Sequence, residues 1–256
     1  MSDIYKKFVA NRIVRRKQVL EHFSGDTEKA NAALRWLVSN GKAQRIITGL
    51  FYFKQPDEWY VKDVVVSPWL IAANSIEGSV IGYHSALRLF GYAYSEVKDI
   101  QIVISADHSR APKGFTYQNI NYTYSRNDLS YGVTEQIVSG QKVRSFDKER
   151  LILEGLMSPD KFYGMSEFLQ SITDVVWLDL DHLFDMLERY TIVSLSMRLG
   201  WLLEKYKQKW HVSDDYLNQL KIYHPEDRVF FVSRRRKGNV LNKKWNIMVP
   251  KDLLNL

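Results

Sequence analysis

The sequence predicts an α+β protein: a small N-terminal winged helix-turn-helix followed by a mixed α+β domain. Three observations carry this expectation. Two amphipathic runs meet at Ser24-Gly25 and lead into two short alternating runs joined through Thr48-Gly49. Strand-like runs then cluster between Asp99 and Phe146, and helical spacing resumes from Lys148.

Taken in order, residues 3 to 10 predict a leading helix with Ile4, Phe8 and Val9 turned inward. Residues 16 to 23 carry Val19, Leu20 and Phe23 at helical spacing, and Ser24-Gly25 supplies the turn. Asp26 or Thr27 then caps a second helix. On it, Ala30, Ala33, Leu34, Leu37 and Val38 share one face, while Glu28, Lys29, Ala32, Arg35, Trp36 and Ser39 share the other. Gly41 closes that helix, and the runs 43 to 47 and 50 to 53 predict a two-stranded wing. The break at Gln55-Pro56-Asp57 sets the expected boundary, with a DNA-binding domain over 1–56 and an α+β domain over 57–256.

Beyond the boundary, helices are expected over 62 to 75, with Pro68 near the start, and over 83 to 90. Strands are expected from Ile100, from Phe115 to Tyr124, from Gly132 to Val138 and from Lys142 to Phe146, enough for a mixed or antiparallel sheet. Further helices follow over 148 to 157, 166 to 172, 180 to 189, 192 to 207 and 213 to 220. A short strand VFFVS, the basic turn SRRRKGN and a closing WNIMVP end the chain.

Charge singles out the first segment. Residues 1 to 54 hold 11 Lys and Arg against 4 Asp and Glu, a net +7 that equals the formal charge of the whole 256-residue chain. A basic excess on a winged-helix pattern is what phosphate contact requires. The candidate DNA contacts are Arg15, Arg16 and Lys17 at the start of the first helix of the motif, Thr27, Lys29, Arg35 and Trp36 on the second, and Lys42, Arg45 and Thr48 in the wing. Residues 221 to 256 carry +6 and residues 55 to 220 carry −6, so Arg234, Arg235, Arg236 and Lys237 are a second candidate nucleic-acid contact, with a solvated loop as the plainer reading. Cys is absent, which excludes disulfides and thiolate metal sites; with no apolar run of signal-peptide or membrane-span length, the expected location is the cytoplasm.

Other chemistry is weaker. Asp179, Asp181, Asp185 and Glu188 could hold Mg²⁺, but they alternate with Leu180, Leu183, Phe184 and Leu187, as caps and solvated residues of an amphipathic helix do. The six histidines show no helical metal-pair spacing, and Tyr83-His84-Ser85 lacks the glycines of a nucleophile elbow. No metal, cofactor or catalytic residue is therefore expected. The rival expectations are a stand-alone ligand-sensing winged-helix transcription factor and a nucleic-acid-processing enzyme using the Asp179 cluster.

With these segments placed, the order of GLFYF, VIGYHSALRLFGY, IQIVIS and KVRSFDKERLILEGLMSPDKFYGMSEFLQSI resembles the AbiEi antitoxins of type IV toxin-antitoxin, abortive-infection systems. The likeness spans nearly the whole chain. It departs at Arg150-Leu151-Ile152-Leu153-Glu154, where the family often shows Thr-Leu-Asp-Leu-Leu, and it is loose over the C-terminal third. The resemblance implies a transcriptional repressor acting in phage defence. Its winged helix would bind double-stranded inverted repeats in its own promoter. The C-terminal domain would counteract a nucleotidyltransferase-like toxin without a stable complex, and no membrane partner is implied.

Overall fold

A computed structural model describes residues 2–109, 112–190, 192–222, 227–233, 235 and 237–254. Ten α-helices and three β-sheets among them give a mixed α+β fold. The first elements are α1 (Ser2–Phe8), β1 (Ile13–Arg15), α2 (Arg16–His22), α3 (Thr27–Ser39), β2 (Ala43–Ile47) and β3 (Leu50–Phe53). Their strands pair antiparallel in the order β1-β3-β2, with Val14 opposite Phe51 and Ala43 opposite Phe53. This is a winged-helix arrangement, with one strand more than the sequence suggested: β1 is too short for alternation to register, and Ile13 and Val14 are both buried.

Local chemistry sets each boundary. Ser24 and Gly25 adopt φ of +51° and +89°, which ends α2, and the Gly25 N–H donates to the Leu20 carbonyl at 2.9 Å. Asp26, not Thr27, caps α3: its carboxylate accepts from the Lys29 N–H at 3.0 Å. Ala30, Ala33, Leu34 and Leu37 are buried against Ile4, Phe8, Val19, Phe51 and Phe53. Val38, expected on the same face, is instead 39% exposed, because it lies about 100° round the helix from Leu37, at the margin of the stripe.

The chain forms two compact units, each discontinuous in sequence. The first comprises Met1–Ile81, Lys98–Leu129 and Glu135–Ser145; the second comprises Gly82–Val97, Ser130–Thr134 and Phe146–Leu256. The expected boundary at Gln55-Pro56-Asp57 thus falls inside the first unit. Trp59 packs on the winged-helix core, Arg12 pairs with Glu58 at 2.9 Å, and the buried Lys54 donates to the carbonyls of Val61 and Lys62 at 2.5 and 3.0 Å. Gln44 of β2 exchanges hydrogen bonds with the Val64 backbone and donates to the Tyr117 hydroxyl.

Most residues of a six-stranded mixed sheet also belong to the first unit. The sheet contains β4 (Val80–Ile81), β5 (Asp99–Ser105), β6 (Phe115–Tyr117), β7 (Ile120–Asn127), β8 (Val133–Val138) and β9 (Gln141–Phe146) in the order β6-β7-β5-β4-β9-β8. The expected single strand from Phe115 to Tyr124 is a hairpin, since Gln118 and Asn119 both take positive φ (+48° and +60°) and reverse the chain. The helix expected over 62 to 75 is only α4 (Pro68–Ser75), because Pro68 stands at the start of the helix, where its missing N–H costs nothing and it disfavours helical geometry before it.

The second unit surrounds α6 (Lys148–Met157), whose residues 149 to 156 are all buried. About it lie α5 (Tyr83–Phe90), α7 (Met165–Ile172), α8 (Leu180–Tyr190) and α9 (Val193–Lys205). Asp147 caps α6 by accepting from the Arg150 N–H at 2.8 Å. Inside, Arg150 donates to the Tyr131 carbonyl at 2.7 Å and lies 3.8 Å over the Phe146 ring, beside Glu154 at 3.5 Å. A buried cation is tolerable when it is so surrounded. The chain closes with α10 (Asp214–Lys221) and a small sheet of β10 (Val229–Phe230), β11 (Asn239–Asn242) and β12 (Ile247–Pro250). The four-residue β11 is a further strand that the sequence did not reveal.

Candidate nucleic-acid interface

α3 presents one face to the winged-helix core and the other to solvent. With Ala30, Ala33, Leu34 and Leu37 turned inward, the side chains at Glu28, Ala32, Arg35 and Ser39 form the opposite stripe, and all four are exposed. Arg35 sits at its centre, and no hydrogen bond, ion pair or ring contact holds its guanidinium among the described residues. Lys29 flanks the stripe and pairs with Asp26 at 3.0 Å. The backbone N–H and then the ammonium of Lys29 hold the Asp26 carboxyl below its ordinary range, so the cap is ionised at neutral pH. Thr27 is exposed beside it.

Arg16 joins three elements. Its backbone N–H donates to the Gly49 carbonyl at the wing tip at 2.8 Å, and its Nε donates to the Asn31 side chain on α3 at 2.8 Å. The start of α2, the middle of α3 and the wing tip are thereby tied together. Sequence reasoning grouped Arg16 with the cations but missed Asn31 and Gly49 as its partners; separations of 15 and 33 residues leave no local pattern. Gln18 adds a reciprocal cap, its side chain accepting from the Arg15 N–H at 2.8 Å.

At the wing tip Gly49 takes φ of +84° and Arg45 donates to the Thr48 hydroxyl at 2.7 Å, both side chains being exposed. Lys17 reaches Glu21 and Glu77 at 3.9 and 3.3 Å, in exposed pairs that solvent screens. The exposed stripe of α3 around Arg35 thus adjoins a wing whose tip presents Arg45.

Lys42 and Trp36 are placed differently. The Lys42 ammonium lies over three rings, 4.7 Å from the centroid of Trp59, 4.9 Å from that of Trp36 and 5.8 Å from that of Tyr5. Each such contact favours this position by roughly 0.5–2 kcal/mol, so both side chains brace the domain. Lys54 and Arg12 are likewise drawn into internal bonds. The net +7 of the segment therefore overstates the charge it presents outward, which rests chiefly on Lys6, Lys7, Lys17, Lys29, Arg35 and Arg45, all exposed.

Of the second basic candidate, Arg234 and Arg236 lie outside the described residues. Arg235 pairs with Asp252 at 2.8 Å and Lys237 is exposed. The acidic cluster is spread over α8: Asp179 accepts from the His182 N–H at 3.1 Å as a helix cap, and Asp181 accepts from the Tyr216 hydroxyl. Ser85 is buried within α5. His84 beside it is kept neutral chiefly by burial and bonds Glu167 at 3.0 Å. Among the described residues no helix is long and apolar enough to cross a membrane.

No family model matches the chain, and no curated protein does. Among solved structures, the crystal structure of the RV2827C protein from Mycobacterium tuberculosis is similar, with a TM-score of 0.63 over 97% of this chain and 90% of that one. The two are 14% identical in sequence, so the likeness is one of fold alone.

Proposed function

We propose that the chain is a DNA-binding transcriptional autorepressor and antitoxin of a type IV toxin-antitoxin system, the role of the AbiEi family that its sequence resembles. In this reading the exposed face of α3 enters the major groove at an operator inverted repeat, with Arg35 against base edges. Arg45, Thr48 and Lys17 meet the flanking phosphates, and Lys29 exchanges Asp26 for a phosphate oxygen. No covalent chemistry is required of any residue. The observation that supports it most directly is the exposed α3 stripe around an uncommitted Arg35, held in register with the wing tip through Arg16. Antitoxicity, against a nucleotidyltransferase-like toxin and without a stable complex, is assigned to the chain beyond the winged helix on the strength of the resemblance.

Footprinting on the chain's own promoter, together with co-expression of the neighbouring gene in a growth assay, tests both halves. Protection of paired half-sites with rescue of growth is expected. Protection without rescue would reduce the protein to a transcription factor of another kind; rescue without protection would remove the role assigned to α3.

A further inference from the structure

We infer that the groove between α8, α9 and α10 in the second unit docks an amphipathic, lysine- or arginine-rich helix of a partner protein. This inference is independent of the reading of the winged helix. The groove has a volume of about 800 Å³. Phe184 and Leu187 of α8 line it, and its apolar margin is open to solvent: Ile192 and Val193 are each 44% exposed and Ile222 is 81% exposed.

Charge defines the occupant. Asp181, Asp185 and Glu188 stand at i, i+4 and i+7 on α8, within about 60° of one another, and form one wall. Asp181 is occupied by Tyr216, whereas no ion pair holds Asp185 or Glu188 among the described residues. No Lys or Arg is among the described lining residues. An anionic wall beside an apolar trough repels nucleic acid and anionic membranes and matches a helix whose apolar stripe is flanked by cations. Helices line the trough on every described side, so side chains rather than a strand edge are what it offers.

The probe is a fluorescein-labelled peptide of Leu and Lys with helical amphipathic spacing, roughly 18 residues long so that it holds a helix, titrated with the full chain by anisotropy. The control peptide carries Glu in place of Lys. Binding of the cationic peptide at least tenfold tighter than the control is expected, and Asp185→Lys with Glu188→Lys should weaken it at least tenfold. Both positions are exposed, and a Lys at 188 suits the C-terminal turn of α8, so the double variant should melt as wild type does. Ile222→Ser should weaken both peptides alike. Equal binding of the two peptides, or binding untouched by the double variant, would overturn the inference. So would groove-dependent sedimentation with phosphatidylglycerol vesicles in the absence of peptide binding, which would make the surface a membrane contact.

Discussion

Leu34 and Arg35 are consecutive residues of α3 with opposite surroundings, and replacing each by Ala separates the fold of the winged helix from its use. Leu34 is 3% exposed and packs in the core with Val19, Leu37 and Phe53. Trimming it to Ala removes about three buried carbon groups, or about 2.4 kcal/mol of transfer free energy. The cavity left behind raises the expected loss to about 2–5 kcal/mol. At Arg35 the substitution touches no packed neighbour, and Ala is the better helix former, so stability should change by less than about 0.5 kcal/mol. Its effect should fall on DNA: loss of one base contact weakens operator binding by about 1–3 kcal/mol, or about 5–150-fold in Kd. Urea unfolding monitored by tryptophan fluorescence gives the first quantity, and anisotropy of a labelled promoter duplex at several salt concentrations gives the second. Removing a base contact leaves the salt slope unchanged, whereas Arg45→Ala, if it loses a phosphate contact, should lower that slope by about 0.9. A Leu34→Ala protein as stable as wild type would mean that α3 is rotated, and unchanged affinity in Arg35→Ala would mean that its exposed stripe is not the recognition surface.

Further predictions follow from the packing. Gly155 lies in the last turn of α6, where an added Cβ would stand 2.1 Å from Cε2 of Phe168; Gly155→Ala should therefore destabilise the protein by about 1–3 kcal/mol through overpacking, measurable as a lower urea midpoint. The hydrogen bond from His182 to Asp147 at 3.0 Å raises the His182 pKa above its ordinary 6.5. Its contribution to stability is thus fully present below the unfolded value and is lost as pH rises through the raised folded value. Asp147→Asn keeps a capping oxygen for α6 but removes the charge, so the stability gap to wild type should narrow as pH rises, and NMR titration should show the His182 pKa fall; a pH-independent gap with an unshifted His182 would refute this. A fragment ending at residue 67 should melt well above one ending at 54, because the shorter piece lacks Trp59, Glu58 and the carbonyls that receive Lys54; circular dichroism melts of the two would decide it.

Features encoded within one turn or one helix were legible in the sequence. The Ser24-Gly25 turn, the apolar stripe of α3 and the limits of α5 and α6 follow from spacing and breakers a few residues apart, and the structure places them at or near the expected positions. Features assembled from distant segments were not. Strands as short as β1 and β4 exist because longer neighbours pair with them, and neither Gln118 nor Asn119 belongs to the Gly-rich pairs that announce a tight hairpin. The site divides in the same way. Arg35 and Lys29 could be read from the helix, but the three rings over which Lys42 sits come from residues 5, 36 and 59. Cation counting could not distinguish Lys42 or the buried Lys54 from a solvated lysine.

The interleaving of the two units bears on how the protein emerges from the ribosome. Every side chain in the winged-helix core comes from residues 4 to 59, so that motif can close while the chain is still short. The sheet beside it cannot: Ile81 of β4 is opposite Ser145 of β9, and its partner β5 arrives only after the Gly82–Val97 segment of the other unit has been made. At about 5–20 residues per second, the interval between Phe53 and Ser145 leaving the tunnel is roughly 5–20 s. For that time a nascent chain carries a closed winged helix while the rest of the first unit and the second unit wait, their apolar strands and helices unpartnered. A chain interrupted anywhere in this interval would present the basic helix and wing alone, and holdase chaperones would be expected to meet it at Val80–Ile81 and Ile100–Ile104, whose buried side chains have nothing yet to cover them.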